Sequence, residues 1–318
     1  MNKVRLLLSV FFLSITVLVF SQTIDEAGTA FNEGIQKAKA KDYTAAIESY
    51  KNCVEICNGL GAEGADLKAN AEKQIPLAYY NLGKAQYKAK KLDDAVAAFG
   101  SAMSSAETIS DEESVKRSKI YLARTYNLKG SVAYKEKKYD DALAMFDKAL
   151  TYDEAYLRAN NGKALVYRKQ NNVEAYKTEV DYMIANGKEG DKVVAKAKSV
   201  AAKFFANTQA GKAIQAGDFK KAVEMMETGA GYGAINAQAY FFAAVAYNNL
   251  SQFQKAVEAG NNAVAKEKKS KSNIYFELGK AYEGLGNSAK ACASYKNVTD
   301  GPNVEAAKYK MTQELKCN

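Results

Sequence analysis

The stretch YYNLGKAQYKAKKLDDAVAAFGSA, residues 79–102, decides the fold of this chain. Apolar residues recur at helical spacing on both sides of a short polar segment, which predicts two helices joined by a turn. Gly83 lies in the first predicted helix, and Ala95 and Phe99 lie in the second. Small residues at such positions let two antiparallel helices approach closely, and large residues fill the space beside them.

The same frame recurs along the 318-residue chain. One copy reads Tyr126, Gly130, Ala133, Tyr139, Ala142, Phe146 and Ala149, an earlier one reads Ala30, Gly34, Tyr43, Ala46, Tyr50 and Cys53, and a late one reads Tyr275, Leu278, Gly279, Tyr282, Ala291, Tyr295 and Val298. Seven frames begin at Ala27, Pro76, Ala123, Leu157, Lys203, Ala237 and Ser272. Self-similarity of this kind indicates stacked helical repeats.

The pattern resembles the tetratricopeptide repeat, a helix-turn-helix unit of 34 residues with aromatic, Leu-Gly and Ala positions. The resemblance implies an all-α fold, a right-handed α-solenoid of about seven units with a C-terminal capping helix. We place the cap from Asn303 to about Leu315. Turn pairs such as Lys41-Asp42 and Gly217-Asp218 suit the reversals between helices.

Insertions between the first frames carry predictions of their own. The Gly-rich residues 58–64 predict a loop after the first unit. The next helix is expected to run through Pro76 with a kink. Ser110 followed by Glu113 matches a capping box, so a long helix is expected to begin near Asp111.

A further insertion suggests a domain boundary. Residues 186–190 predict a break, after which a helix restarts at Lys192 and ends near Phe205. We therefore predict an N-terminal block of units one to four over residues 22–186. A C-terminal block of units five to seven, with the capping helix, follows over residues 187–318.

The first 21 residues are predicted to be an export signal. Lys3 and Arg5 precede an apolar run over residues 6–20, and a cut before Gln22 follows small residues. A membrane-spanning helix needs about 20 apolar residues, so no transmembrane segment is expected in the mature chain. We expect export across the inner membrane of a Gram-negative bacterium, to the periplasm or the outer membrane, and therefore no nucleic-acid partner.

The chain contains no histidine, which removes several kinds of catalysis. Ser-His-Asp and Cys-His arrangements cannot be built, and the usual nitrogen ligand of zinc is absent. We predict no catalytic residue, no cofactor and no metal, and we do not expect an enzyme. Carboxylate pairs remain the open catalytic alternative, although acids at such helix positions are usually surface charge.

The four cysteines form two pairs in the sequence. Cys53 and Cys57 are four residues apart in a predicted helix, where their Cβ atoms would be about 5–6 Å apart. A disulfide needs about 3.8 Å, so we expect two free, buried thiols. Cys292 and Cys317 are separated by a turn and are a candidate disulfide that would tie the last helix to the preceding repeat.

The resemblance also implies a binding groove, lined by the first helix of each unit. In units two to four this face carries cations, amides and tyrosines. The candidate partner-binding residues are Lys84, Tyr87, Lys88, Arg124, Asn127, Tyr134, Arg158, Asn161 and Arg168. Some family members hold peptide C-termini on this face, an arrangement that Lys84, Asn127 and Arg158 loosely match.

Two functions and one simpler interpretation follow from this face. The first function is an exported scaffold that binds a protein or peptide, acidic or with a C-terminal carboxylate, within a cell-envelope assembly. The alternative is a binder of acidic glycan or peptidoglycan in the periplasm. The simpler interpretation is a solvated basic face whose tyrosines pack between helices. No particular oligomeric state is predicted.

Overall fold

A computed structural model describes residues 23–317, and in that range the chain is helical without any strand. The predicted signal peptide lies outside the described residues. The helices are α1 (Ile24–Lys39), α2 (Tyr43–Leu60), α3 (Ala65–Lys88), α4 (Leu92–Thr108), α5 (Glu112–Lys135), α6 (Tyr139–Tyr152), α7 (Leu157–Gln170), α8 (Val173–Asn186), α9 (Lys192–Lys203), α10 (Ala210–Gln215), α11 (Phe219–Tyr232), α12 (Ala237–Asn249), α13 (Phe253–Lys266), α14 (Ser272–Gly284), α15 (Ser288–Lys296) and α16 (Val304–Tyr309).

Shorter segments join some of these helices. A 3-10 turn, Gly61–Gly64, connects α2 to α3, and a π-helical turn, Phe204–Gln209, connects α9 to α10. A second π-helical turn, Lys310–Glu314, follows α16. The continuous segment from α9 to α10 serves as the first helix of the fifth pair, whose second helix is α11. The described residues therefore contain seven helix pairs and a final helix. The predicted all-α class and repeat number are confirmed.

The chain divides into two compact units. The first contains the described residues up to Lys129 together with Thr151–Asp153. The second contains Gly130–Leu150 and the residues from Glu154 onward. The sequence-based division at residue 186 stays a prediction. The largest apolar core of the second unit includes buried residues on both sides of that position, such as Met183 and Val194.

Each complete copy of the repeat uses the same contact inside a helix pair. Gly34, Gly83, Gly130 and Gly279 each lie against the ring found 16 residues later in the chain, which is Tyr50, Phe99, Phe146 or Tyr295. A Cβ atom added at any of these glycines would come within 3.0 Å of that ring. The large ring fits against the first helix because the glycine has no side chain that would occupy the same space.

Four of the turns inside the pairs follow one scheme. Lys41, Asn171, Gly217 and Gly286 each adopt a positive φ. An Asp or Asn follows directly, and its side-chain oxygen accepts a hydrogen bond from the backbone N–H three residues on, as Asp42 does from Ala45. Such caps satisfy backbone donors that a helix start leaves open.

The first insertions differ from the sequence-based expectation. The loop predicted over residues 58–64 is shorter than expected: α2 continues to Leu60, and the connection is the 3-10 turn Gly61–Gly64, which leads directly into α3. Gly64 permits this compact connection, since a Cβ there would meet the backbone of Cys57. The helix α3 does run through Pro76, which is buried.

The prediction that Ser110 caps the start of α5 is wrong. Ser110 has a φ of 57°, so it lies in the left-handed region and cannot serve as the N-cap. Asp111 takes this role, and its Oδ1 accepts from the backbone N–H of Ser114 at 3.0 Å. The restart of a helix at Lys192 is confirmed, and α9 ends at Lys203, close to the predicted end near Phe205. The π-helical turn then leads directly into α10.

A buried ionic network links α6, α7 and α8 in the second unit. Lys163 Nζ lies 2.9 Å from Asp147 Oδ1 and 2.9 Å from Glu179 Oε1. Asn160 donates its amide to the other oxygen of Glu179 at 3.0 Å. Burial alone would lower the pKa of Lys163, but the hydrogen bonds and charges of the two carboxylates outweigh it and raise that pKa. The network fixes a cation inside the helix stack.

The cysteines take different states. Cys53 and Cys57 are buried and unbonded, as their helical spacing predicts, and burial beside Cys57 raises the pKa of Cys53 to about 12. Cys292 and Cys317 form a disulfide with a Cα–Cα distance of 5.7 Å. It ties the end of the chain to α15.

Peptide mapping of the native protein tests this bond. Digestion without reductant is expected to give one disulfide-linked pair of peptides that carries Cys292 and Cys317, while Cys53 and Cys57 react with an alkylating agent only after unfolding, because both are buried. Alkylation of Cys292 in the native, unreduced protein would contradict the assignment.

Across residues 23–317, none of the helices combines the length and the apolar character that crossing a bilayer requires.

Candidate partner-binding site

The first unit brings several predicted groove residues together on one surface. On α3, Tyr80, Lys84 and Tyr87 follow one another at spacings of four and three residues. Arg117, Tyr121 and Arg124 have the same spacing on α5. Residues so spaced share a helix face. We refer to these six side chains as the α3–α5 surface.

Edge-on and tilted aromatic rings form the base of the α3–α5 surface. The ring of Tyr121 lies edge-on to Tyr80 at 5.2 Å and to Tyr87 at 6.3 Å between centroids. It also packs at 5.1 Å against Phe99, which is fully buried. Aromatic pairs in such tilted or edge-on arrangements stabilise each other beyond simple burial. The surface is therefore anchored to the core of the first unit.

Cations lie over these rings. The Nζ atom of Lys84 is 5.4 Å and the guanidinium carbon of Arg117 is 5.8 Å from the centroid of Tyr80, and Arg124 lies 5.2 Å from the centroid of Tyr121. Arg117 also donates to Ser114 and approaches Glu113 at 3.9 Å. Within the described residues, Lys84 and Arg124 have no ion pair with an acid. Their charges thus remain available to a partner.

Tyr80 is a hydrogen-bond donor at neutral pH. Burial, together with a hydrogen bond and the charge interaction with Tyr121, raises its pKa to about 12, although Arg117 and Arg124 oppose the shift. The hydroxyl therefore stays protonated. The surface offers cations and phenolic donors, which suits an acidic group with an apolar or planar neighbour.

The remaining predicted residues do not join this surface as one set. Lys88 and Arg158 are exposed, and Asn127 is half-buried on α5. Tyr134 packs against Tyr139 at 6.0 Å. Asn161 and Arg168 line a cavity in the second unit. The nine candidates therefore belong to both compact units, and we describe each group within its own unit.

Two adjoining cavities lie along α7, α8 and α9 of the second unit. The deeper one has a volume of about 200 Å³ and the other about 430 Å³. Arg168 and Val200 line both cavities, so they mark the junction. We refer to the two cavities together as the α7–α9 cleft.

A larger cavity of about 720 Å³ in the first unit has a mixed lining. Lys116 and Lys119 line it together with Glu107, Glu112 and Asp153. Because both signs of charge are present, the lining favours no particular ligand charge. The described residues also hold no group of three or more acidic or cysteine side chains placed to bind a metal ion.

Several residues of these sites were missed by sequence reasoning. Tyr121 and Arg117 precede Ala123, the first position of the third frame, and Lys196 and Val200 precede Lys203, the first position of the fifth. All four residues lie in turns inserted before a repeat frame, so the repeat pattern alone does not assign them to the groove. The i, i+4, i+7 spacing of Arg117, Tyr121 and Arg124 is a signal that could have found the first two.

Comparisons with known proteins agree with the repeat. Family models described as tetratricopeptide repeat match residues 77–105, 127–175, 208–273 and 272–300, which together make up more than half of the chain. No curated protein matches the sequence.

Solved structures of low sequence identity resemble parts or most of the chain. YrrB, a TPR protein with an unusual peptide-binding site, has 16% identity, covers 60% of this chain and 92% of its own, and gives a TM-score of 0.40. MamA has 16% identity, covers 61% and 96%, and gives 0.37. A tetratricopeptide repeat protein from Parabacteroides merdae has 15% identity, covers 92% and 100%, and gives 0.32. With its family-model matches and seven helix pairs, the chain belongs to the tetratricopeptide repeat family.

Proposed function

We propose that this protein is an exported scaffold that captures an acidic protein segment on the α3–α5 surface, within an assembly of the cell envelope. Membership of a family of protein-interaction repeats supports the binding role. The observation that carries the proposal is the gathering of Lys84 and Arg124, without acidic partners among the described residues, over the rings of Tyr80 and Tyr121.

The surface suits a carboxylate in an extended segment. The Arg124 guanidinium can donate two parallel hydrogen bonds to a carboxylate, and Lys84 adds a second positive charge. Their contacts with tyrosine rings orient both cations before the partner arrives, which reduces the entropy lost on binding. A side-chain acid or a C-terminal carboxylate satisfies the same donors.

The export part of the proposal rests on the N-terminal sequence. Lys3 and Arg5 followed by the apolar run over residues 6–20 have the order of a secretory signal. The Cys292–Cys317 disulfide suits an oxidising compartment outside the cytoplasm. A periplasmic or outer-membrane-associated scaffold accounts for both features.

Crosslinking in intact cells tests the proposal. The wild-type protein is expected to be crosslinked to a discrete protein in the envelope fraction. Replacing Lys84→Glu together with Arg124→Glu is expected to reduce this product by at least about tenfold, because reversed charges repel an acidic partner. The matched control is Lys39→Glu with Lys119→Glu, which changes the net charge equally at two exposed lysines and should leave the product unchanged.

The same experiment separates protein from glycan as the partner. The lysine and arginine side chains of the α3–α5 surface also suit an acidic glycan, the second candidate. Sedimentation with purified peptidoglycan, lost in the Lys84→Glu, Arg124→Glu variant and without any crosslinked protein, would favour the glycan. Equal protein capture by wild type, test variant and control would overturn the role of this surface.

A further inference from the structure

The α7–α9 cleft in the second unit combines an apolar base with a rim whose charged side chains are all basic. Its base contains side chains that are almost fully buried, namely Tyr176, Val180 and Met183. Ala164, Leu165 and Ala197 add further apolar surface. A base of this kind stabilises a hydrocarbon or aromatic group by removing it from water.

The rim carries cations that no acid neutralises. Arg168 and Lys196 line the deeper cavity, and Arg168, Lys169 and Lys203 line the wider one. No Asp or Glu is among the described residues that line either cavity. Over residues 23–317, none of these four cations forms an ion pair. The neighbouring Lys163, in contrast, is held between two carboxylates.

The cleft depends on an insertion rather than on the repeat. The fifth frame begins at Lys203, but α9 begins at Lys192, and these extra turns supply Lys196, Ala197 and Val200. The π-helical turn Phe204–Gln209 follows at once and contributes Phe204 and Thr208 to the wider cavity. Turns of this type interrupt helices frequently at functional sites, where they redirect side chains.

We infer that the α7–α9 cleft binds a small amphiphile with one anionic head and a short apolar body. The head would pair with Arg168 at the junction and with Lys196, and the apolar body would enter the deeper cavity toward Met183. The two cavities together fall within the ~300–1,000 Å³ range of small-molecule sites. The deeper one, at about 200 Å³, accepts a single short chain or ring. This site is separate from the α3–α5 surface and stands or falls independently of the proposed function.

Calorimetric titration of the full mature chain with sodium octanoate tests the inference. Octanoate is expected to bind with one site per chain, and neutral 1-octanol to bind at least about tenfold more weakly, because hydrogen bonds to charged groups contribute that much or more. The Arg168→Gln, Lys196→Gln variant should lose about 10- to 100-fold in affinity. Val200→Phe, which fills the junction of the cavities, should abolish binding.

A matched variant controls for a general loss of charge. Lys192→Gln with Lys198→Gln removes two exposed lysines of α9 that do not line the cleft, and its octanoate affinity should equal that of the wild type. Circular dichroism melting of each variant verifies that the fold is retained. The inference is overturned if wild type binds no octanoate, if octanol binds equally well, or if the folded Arg168→Gln, Lys196→Gln variant binds like the control.

Discussion

Exchanging Phe146 for alanine is expected to lower the free energy of unfolding by about 3–5 kcal/mol, the usual cost of deleting a large buried ring. The ring is 2% exposed. It is enclosed by Gly130 on α5 and Gly162 on α7, at both of which an added Cβ would come within 3.0 Å of it. Urea unfolding followed by circular dichroism measures the loss.

Companion variants show whether the close packing of Phe146 against Gly130 and Gly162 causes this loss of unfolding free energy. Leu143→Ala, at a half-buried position on the same helix, should cost clearly less. Gly162→Ala should destabilise by about 1–3 kcal/mol, because the new methyl group collides with the ring. Adding Phe146→Leu to Gly162→Ala should cost less than the sum of the two single changes, since the smaller side chain relieves the collision. Strict additivity would contradict the packing described for Phe146.

Replacing Lys163 with methionine is expected to cost about 3 kcal/mol, the lower end of the range for breaking a buried ion pair. The Lys163 side chain is 16% exposed and that of Glu179 is 11% exposed, whereas Asp147 is largely in solvent. The change leaves the Glu179 carboxylate buried with only the Asn160 amide as a donor. Urea unfolding at neutral pH measures the effect.

The control for Lys163 is another lysine ion pair of the same unit. Lys177 pairs with Asp181 at 2.6 Å, but both side chains are more than 40% exposed, so Lys177→Met should cost no more than about 1 kcal/mol. The double variant Lys163→Met, Glu179→Leu should recover most of the loss, because the buried charge is removed with its partner. A loss for Lys163→Met no larger than for Lys177→Met would contradict the buried network.

The network also predicts an alkaline limit of stability. Because the folded-state pKa of Lys163 is raised, its contribution is fully present below the pKa of an unfolded lysine, about 10.4. The contribution is lost as pH rises through the higher folded-state pKa. The difference in unfolding free energy between wild type and Lys163→Met should therefore shrink at strongly alkaline pH.

The repeat could be predicted from the sequence because its main contact is local. A glycine and a ring 16 residues apart meet inside one helix pair, so short-range spacing specifies both. The connections were harder to predict. The backbone of Cys57 decides that the Gly-rich residues before α3 form a 3-10 turn, and the φ of Ser110 decides that Asp111 is the cap. Both depend on how neighbouring segments pack, which residue types alone do not specify.

The candidate sites show the same distinction. The repeat frame predicted Lys84, Tyr87 and Arg124 as groove residues. It did not indicate that two carboxylates would neutralise Lys163, or that Arg168, five residues later, would line a cavity. Whether a lysine or arginine forms an ion pair depends on acids from other helices, as Lys163 on α7 depends on acids of α6 and α8. The inserted turns of α5 and α9 contribute to each site and lie outside any count of repeat positions.

The disulfide between Cys292 and Cys317 makes the two ends of the helix array differ in how readily they open. Helices at the end of a repeat array have a neighbour on one side only, so they open more readily than the middle. At the C-terminal end a covalent bond holds the last residues to α15, whereas α1 is held by apolar packing, its capping hydrogen bonds and the hydrogen bond from Lys37 to Ser49 on α2. Among the described helices, limited proteolysis is therefore expected to open α1 before the disulfide-bonded C-terminal end.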